Sequence, residues 1–132
     1  DCLQDEMPLP AIANYDKALT LSPTLAPALH GRAKAYAMLG EPEKALEDYR
    51  TILDGNSSDI AAVIEMGTCY MSNGDIHNAL DRCMLALDML DEVECPRPLQ
   101  SRLHTTLADI FDETGDSDEA ARHRAIAKRL RR

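Results

Sequence analysis

Length, composition and charge limit the classes of protein to which this chain can belong. It has 132 residues, of which 45% are hydrophobic, 28% charged and only 4% aromatic. This length fits one compact domain, and the hydrophobic fraction argues against a disordered chain. The net charge of −9 repels nucleic-acid phosphates and anionic lipids, and no stretch approaches the roughly 20 apolar residues of a membrane span. We therefore expect a soluble, folded domain that binds neither nucleic acid nor membranes, with a core of Ala, Leu, Ile and Met that indicates helices.

In chain order, the predicted elements are helices separated by proline or glycine turns. Residues 1–10 contain two prolines and no clear helix, and a helix follows at roughly Ala11 to Leu21. The next helix ends at Gly40, because glycine accepts the left-handed conformation that closes a helix, and Pro42 suits the first turn of its successor. Gly74 followed by Asp75, and Gly115 followed by Asp116, predict the same turn twice more, with the aspartates as N-caps.

The chain repeats itself with a period of 34 residues. Residues 29–40 align with residues 63–74 at this shift, with small, aromatic and glycine positions in register. The spacing from Gly74 to Gly115 is 41, so seven residues are inserted between the third and fourth units. Because Met84 to Leu90 keep a helical period and the acidic segment 91–98 then carries two prolines, we expect a lengthened second helix followed by a loop.

This pattern predicts one domain with a fixed order of segments. Residues 1–25 form a leading segment and the second helix of a partial repeat. Residues 26–59 form a full repeat, and residues 60–93 form a repeat with an extended second helix. Residues 94–100 are the loop insert, and residues 101–132 are the last repeat with a basic end helix.

A helix-turn-helix unit of 34 residues with these small, aromatic and glycine positions resembles the tetratricopeptide repeat family. The small positions are Ala33, Gly67 and Ala108 in first helices and Ala11, Ala45, Ala79 and Ala120 in second helices. The aromatic positions are Tyr36, Tyr70 and Phe111, and the glycine positions are Gly40, Gly74 and Gly115. The resemblance implies an all-α fold, a right-handed α-solenoid of antiparallel helix pairs with about three and a half repeats. The last unit departs at Arg124, which stands where the earlier second helices carry Tyr49 or Cys83, so this unit either caps the stack or is followed by more chain.

The sequence contains no pattern for catalysis, metal binding or nucleotide binding. The four histidines, His30, His77, His104 and His123, share no motif, and the glycines form no phosphate-binding loop. We expect His104 to pack in the core and His30 to face outward. The four cysteines contain no CxxC pair, so we expect free thiols in a reducing compartment. We therefore predict a non-enzymatic chain with no catalytic residues, no metal site and no cofactor.

The resemblance implies that the first helices line a concave groove that binds a peptide segment of a partner protein. By repeat position, the groove residues are His30, Lys34, Ala61, Ile64, Thr68, Met71, Arg102, Thr105 and Asp109. A subset of the family holds the acidic C-termini of heat-shock chaperones in a clamp of Lys, Asn and Arg residues. That clamp is not assembled here, and Glu65 would repel the terminal carboxylate. We therefore expect an adaptor, scaffold or co-chaperone-like role without a carboxylate clamp.

An alternative function also fits the sequence. The chain begins at Asp1 and not at methionine, and it starts with half a repeat, which suggests a processed or partial chain. It would then be a section of a longer solenoid, or the repeat region of a larger multidomain protein or enzyme, with self-association through exposed helix faces. The predicted partners are a protein or peptide, with a homodimer or a continuing chain as the alternatives. The predicted location is the cytoplasm, with the nucleus as the alternative because six of the fourteen basic residues lie in 122–132.

Overall fold

The structure, a computed structural model, describes residues 8–22 and 25–131. Seven helices and no strands are found in these residues: α1 (Pro8–Leu21), α2 (Ala26–Met38), α3 (Pro42–Gly55), α4 (Ile60–Ser72), α5 (Ile76–Met89), α6 (Arg97–Thr114) and α7 (Ser117–Leu130). The predicted all-α architecture is thus confirmed. Residues 1–7, 23 and 24 of the predicted leading segment, with Cys2 among them, and the last residue of the predicted end helix, Arg132, lie outside the described residues. No helix in the described part of the chain is both long and apolar enough to cross a membrane.

The glycine turns between helices have the predicted geometry. Gly40, Gly74 and Gly115 have φ angles of 78°, 78° and 86°, in the left-handed region that favours glycine. In the latter two turns the next residue caps the following helix. The Asp75 side chain accepts a hydrogen bond from the backbone N–H of Asn78, and the Asp116 side chain accepts one from the N–H of Glu119.

The described chain divides into two compact units, one ending at Ala62 and the other starting at Val63. In the first unit, α2 packs against both α1 and α3. The small residues Ala33 and Ala45 are fully buried, and so is Tyr49. Arg32 on α2 joins all three helices, because its guanidinium contacts Asp16 on α1 and Asp48 on α3. The hydrogen bonds to Asp48, and then those to Asp16, raise the pKa of Arg32 above its ordinary value.

In the second unit, small residues again occupy the places where helices approach closely. A Cβ added at Gly67 of α4 would lie 2.8 Å from Cys83 Sγ of α5 and 3.6 Å from the carbonyl oxygen of Ala79. The small repeat positions Gly67 and Ala79 therefore lie where the two helices approach each other closely. Helices α6 and α7 pack together, with Ala108 and Ala120 buried. The core of this unit also contains the fully buried side chains Leu103, Leu107 and Ile110.

The seven inserted residues do not lengthen the second helix of the third unit, so this prediction was wrong. Helix α5 ends at Met89 and has 14 residues, as α3 does. The extra residues form the connection after Met89 and the start of α6, which begins at Arg97 inside the predicted loop 94–100 and has 18 residues. The physical reason is that Pro98 lies in the first turn of α6, where a missing amide hydrogen costs nothing.

The described cysteines Cys69, Cys83 and Cys95 are free, as their spacing predicted, and they are also buried. Burial raises the pKa of the Cys69 thiol to about 11 and that of Cys83 to about 12, with a smaller contribution from Glu65 at Cys69. Burial also raises the pKa of Cys95. These thiols therefore behave as small apolar core groups at neutral pH.

Candidate functional site

In the first unit, the predicted groove residues His30, Lys34 and Ala61 differ in how firmly they are held. His30 Nε2 lies 3.1 Å from Asp59 Oδ2, and the His30 ring meets the Tyr49 ring edge-on at 5.7 Å. The other oxygen of Asp59 accepts a hydrogen bond from the N–H of Ala62. Asp59 therefore caps α4 and fixes the orientation of His30 at the same time.

Lys34 and Ala61 complete the predicted set in this unit. Lys34 lies on α2 one turn after His30 and is exposed, whereas Ala61 lies in the first turn of α4 and is half-buried. In the described residues the ammonium of Lys34 has no carboxylate within ion-pair distance. This cation is therefore accessible to a partner, and its position one helical turn from His30 places both residues on one face of α2.

In the second unit, the predicted groove residue Arg102 forms an ion pair with the buried carboxylate of Glu65. Arg102 Nη1 on α6 lies 2.7 Å and 2.6 Å from the two carboxylate oxygens of Glu65 on α4. The Glu65 side chain is 9% exposed and that of Arg102 is 47% exposed. The carboxylate is thus withdrawn from solvent while the guanidinium remains accessible. Glu65 was expected to repel a peptide carboxylate, but its charge is offset by Arg102.

The remaining predicted residues of this unit lie on the same two helices, α4 and α6, as that ion pair. Thr68 and Met71 on α4 and Thr105 on α6 are half-buried. The hydroxyls of Thr68 and Thr105 donate to the carbonyl oxygens four residues earlier, Ile64 and Ser101. Ile64 departs from its predicted role, because its side chain is completely buried. It supports α4 from the core and offers no surface to a partner.

Asp109, at the acidic end of the predicted set, is engaged by Arg124 of α7. Arg124 Nη2 lies 3.3 Å from Asp109 Oδ1 and also contacts the carboxylate of Asp112. These hydrogen bonds, that of Asp112 first, raise the pKa of Arg124. Arg124 stands where the earlier second helices carry Tyr49 or Cys83. Its charge is explained by this ion pair between α6 and α7 at the surface.

Some interactions of this surface were not predicted from the sequence. Asp59 precedes the apolar run of α4, which is a recognisable capping signal. The Glu65–Arg102 pair and a contact between His104 and His123 have no comparable signal, because they join residues on different helices. His104 is buried, as expected. Within the described ranges, no three His, Cys, Asp or Glu side chains lie close enough together to hold a metal ion.

Comparison with known proteins supports the repeat assignment. A family described as tetratricopeptide repeat matches residues 14–47. A curated relative, serine/threonine-protein phosphatase T of Trypanosoma brucei brucei, is 38% identical over 80 residues, which are 59% of this chain and 17% of the phosphatase. The chain therefore spans about a sixth of that relative's length.

Solved structures with little sequence identity share the fold. A crystal structure of MamA aligns with a TM-score of 0.78 at 21% identity, covering 98% of this chain and 72% of MamA. A tetratricopeptide repeat protein from Parabacteroides merdae aligns with a TM-score of 0.63 at 22% identity, covering 96% of this chain and 53% of that protein.

The Cut9–Hcn1 hetero-tetramer of the APC/C also matches, with a TM-score of 0.55 at 16% identity. The match covers 95% of this chain and 30% of the matched chain. A fold of this kind generally serves as a scaffold for interactions with other proteins. The register of the repeats and the matched segment 14–47 support the resemblance to the tetratricopeptide repeat family, and the solved structures share the helical fold.

Proposed function

We propose that this chain is a non-enzymatic adaptor that binds a peptide segment of a partner protein on the outward positions of α2, α4 and α6. In this proposal residues 26–59 and 60–93 act as full repeats. The contact residues are then His30, Lys34, Ala61, Thr68, Met71, Arg102, Thr105 and Asp109, with Ile64 supporting them from the core.

The observation that carries the proposal is the geometry of Arg102. Its Nη1 makes both bonds to Glu65, and in the part of the chain that the structure describes its Nε and Nη2 groups have no protein partner. A guanidinium that is already held in place loses little conformational freedom when it binds a second carboxylate. Arg102 is therefore suited to anchor an acidic side chain of a bound peptide.

The neighbours of Arg102 suggest what else the peptide contains. Thr68, Met71 and Thr105 are half-buried, the two threonine hydroxyls are bonded to backbone carbonyls so that their methyl groups remain for contact, and the thioether of Met71 adapts to different partner shapes. In the other unit, the exposed Lys34 provides a second accessible cation. We infer that the preferred peptide combines acidic and apolar side chains. The asparagines of the chaperone clamp are missing, so we expect no measurable binding of a chaperone C-terminal peptide.

A peptide selection tests this proposal. The chain is immobilised, peptides are selected from a random displayed library, and dissociation constants are measured for the selected sequences. We expect Arg102→Ala to weaken binding about tenfold or more, because the lost contact is charge-assisted. Lys34→Glu should also weaken it. Arg129→Ala and Lys128→Glu are the matched controls, because they make the same changes at exposed positions of α7.

The outcome is interpretable only for folded variants, which circular dichroism verifies. Should Arg102→Ala unfold because Glu65 loses its partner, the double variant Glu65→Gln with Arg102→Gln removes both charges together. A selection that yields no peptide, or peptides bound equally well by groove variants and controls, would contradict the proposal.

A second candidate function has one specific observation in its favour. The phosphatase relative matches this chain over only 17% of its own length, as expected if such a segment is one region of a larger enzyme. The chain would then be the non-catalytic repeat region of a multidomain protein. An immunoblot of the source cells with an antibody raised against α6 and α7 tests this candidate. A band much larger than a chain of 132 residues would support it, and a band at that size would contradict it.

A further inference from the structure

Two histidines on neighbouring helices form a direct hydrogen bond in the second unit. His104 of α6 and His123 of α7 have their Nδ1 atoms 2.8 Å apart. Their ring centroids are 5.0 Å apart, and the ring planes differ by 23°. The centroid separation is about the sum of the N–N distance and the two distances from ring centre to nitrogen. The two nitrogens therefore lie nearly on the line between the centroids, and the rings meet edge to edge and not face to face. One Nδ1–H therefore donates to the lone pair of the other Nδ1.

This hydrogen bond lies in a largely buried contact between the two helices. His104 is 8% exposed, and the His123 side chain is 12% exposed. The Phe111 ring lies nearly parallel to the His123 ring, at 5.6 Å and 12°. The buried hydroxyl of Ser101 also donates to the carbonyl oxygen of Ala127, another link between α6 and α7. A charge placed on the buried rings would therefore be poorly solvated.

The charged and titratable groups that act on the two rings all lie on α7. Glu119 Oε2 is 3.9 Å from His123 Nε2 and favours a protonated His123, whereas Arg122 opposes it. His104 is influenced by His123. Burial lowers the pKa of both histidines, and His123 lowers that of His104 further.

The position of Glu119 determines the order of protonation. With the first proton His123 becomes the imidazolium, because its Nε2–H faces the Glu119 carboxylate, and it donates its Nδ1–H to Nδ1 of His104. The second proton has only one lone pair left to occupy, Nδ1 of His104. That protonation removes the acceptor, breaks the hydrogen bond and leaves two cations in contact.

We propose that the His104–His123 pair is an acid-sensitive latch, which holds α7 against α6 while His104 is neutral and releases α7 when both rings are protonated. Release would expose the surfaces that α6 and α7 bury against each other. The proposal does not depend on peptide binding by the chain.

The same geometry argues against a metal site at this pair. Metal–nitrogen bonds are about 2.0–2.1 Å long, so two lone pairs that point at each other need a separation of about 4 Å to hold an ion between them. The observed separation is 2.8 Å. A proton fits between the two nitrogens and a metal ion does not.

The direction of the pH effect follows from the lowered pKa values. A histidine with a lowered pKa in the folded state binds fewer protons there than in the unfolded chain. The contribution of the two neutral histidines to the free energy of unfolding is therefore complete above the ordinary histidine pKa of about 6.5. It is lost as the pH falls below that value. Carboxylic acids ordinarily titrate below about pH 5, so a window from about pH 7.5 to 5.0 isolates the histidines.

Hydrogen exchange followed by mass spectrometry tests the latch in the full chain, with rates corrected for the intrinsic effect of pH. We expect the protection of α7 amides relative to α5 amides to fall by on the order of tenfold between pH 7.5 and 5.0. The variant His104→Gln with His123→Gln should lose this dependence, because glutamine pairs do not titrate. His77→Gln is the control, since His77 is 87% exposed and should leave the dependence unchanged.

A second measurement keeps the proposal testable if the double variant does not fold. Nitrogen chemical shifts of the two imidazoles, followed by NMR in the unaltered chain, should show His123 titrating before His104, with both midpoints below 6.5. Independent titration of both rings at the ordinary histidine pKa would overturn the latch. So would an equal loss of α7 protection in the unaltered chain and the double variant.

Discussion

Arg32 and Asp48 form a two-point ion pair that joins α2 to α3. Arg32 Nε lies 2.9 Å from Asp48 Oδ2, and Nη2 lies 2.6 Å from Oδ1. The Asp48 side chain is only 6% exposed, so its charge depends on this guanidinium. A bidentate pair of this kind fixes the relative orientation of the two helices as well as their distance.

Replacing Asp48 by asparagine should therefore destabilise the chain. Arg32 keeps its contact with Asp16, so the expected cost is about 1.5–3 kcal/mol, the range for a hydrogen bond to a charged group. Urea denaturation measures it. Asp16→Asn is the matched control, because Asp16 is half-exposed and exposed pairs contribute about 0–1 kcal/mol. Equal costs for the two substitutions would contradict the distinction between them.

Gly67 should tolerate no added methyl group. Gly67→Ala brings a Cβ to 2.8 Å from Cys83 Sγ, and the resulting overpacking of about 1–3 kcal/mol outweighs the gain of about 1 kcal/mol in helix propensity. Gly55→Ala meets open space at the end of α3 and should be neutral or stabilising. Melting temperatures compare the two. Restoration of stability in Gly67→Ala by a second change, Cys83→Ala, would identify the sulfur as the obstacle, and no restoration would contradict this explanation.

The Asp75 cap should contribute measurably to the start of α5. Its Oδ1 accepts from the backbone N–H of Asn78, and its Oδ2 accepts from the Asn78 side chain at 2.6 Å. Asp75→Ala should cost about 1 kcal/mol in the free energy of unfolding. Asp81→Ala, an exposed change on the same helix, serves as the reference. The cap explanation fails if both variants unfold at the same urea concentration.

Cys69 and Cys83 should react slowly with thiol reagents in the folded chain. With pKa values of about 11 and about 12, only about 0.1% or less of each thiol is ionised at pH 8, and the thiolate is the reactive form. The measurement is the rate of disulfide exchange with a coloured reagent at pH 8, in a Cys2→Ser variant. The rate should rise to that of a free thiol in denaturant. Fast labelling of either cysteine in the native chain would show that it is more accessible than the structure indicates.

Much of the fold could be predicted because it depends on local rules. The left-handed glycines Gly40, Gly74 and Gly115 and the capping aspartates Asp75 and Asp116 act within a few residues of their own helix ends. The 34-residue period also predicts small residues at fixed positions of each repeat. Gly67 is one of them, and it lies where α4 approaches Cys83 of α5. The predicted lengthening of α5 was wrong because the sequence does not fix where that helix ends. The helical period of residues 84–90 and the two prolines in 91–98 are compatible with more than one helix boundary.

The surface was less predictable than the fold. The repeat position of Ile64 suggested a groove contact, but the side chain is completely buried, because repeat position alone does not specify how deeply a side chain lies. Glu65 was interpreted as an unpaired repelling charge. Its partner Arg102 is 37 residues away in the chain, and no periodic pattern connects them.

The sequence by itself determined the helices, the turns between them and the 34-residue repeat, since these follow from hydrophobic periodicity, glycine conformation and helix capping. Only the tertiary structure decided which charges are neutralised and which groups titrate together. The pairs Glu65–Arg102, Arg32–Asp48 and His104–His123 all join separate helices. Their energies depend on distances of a few ångströms and on burial, and both are set by how the helices pack.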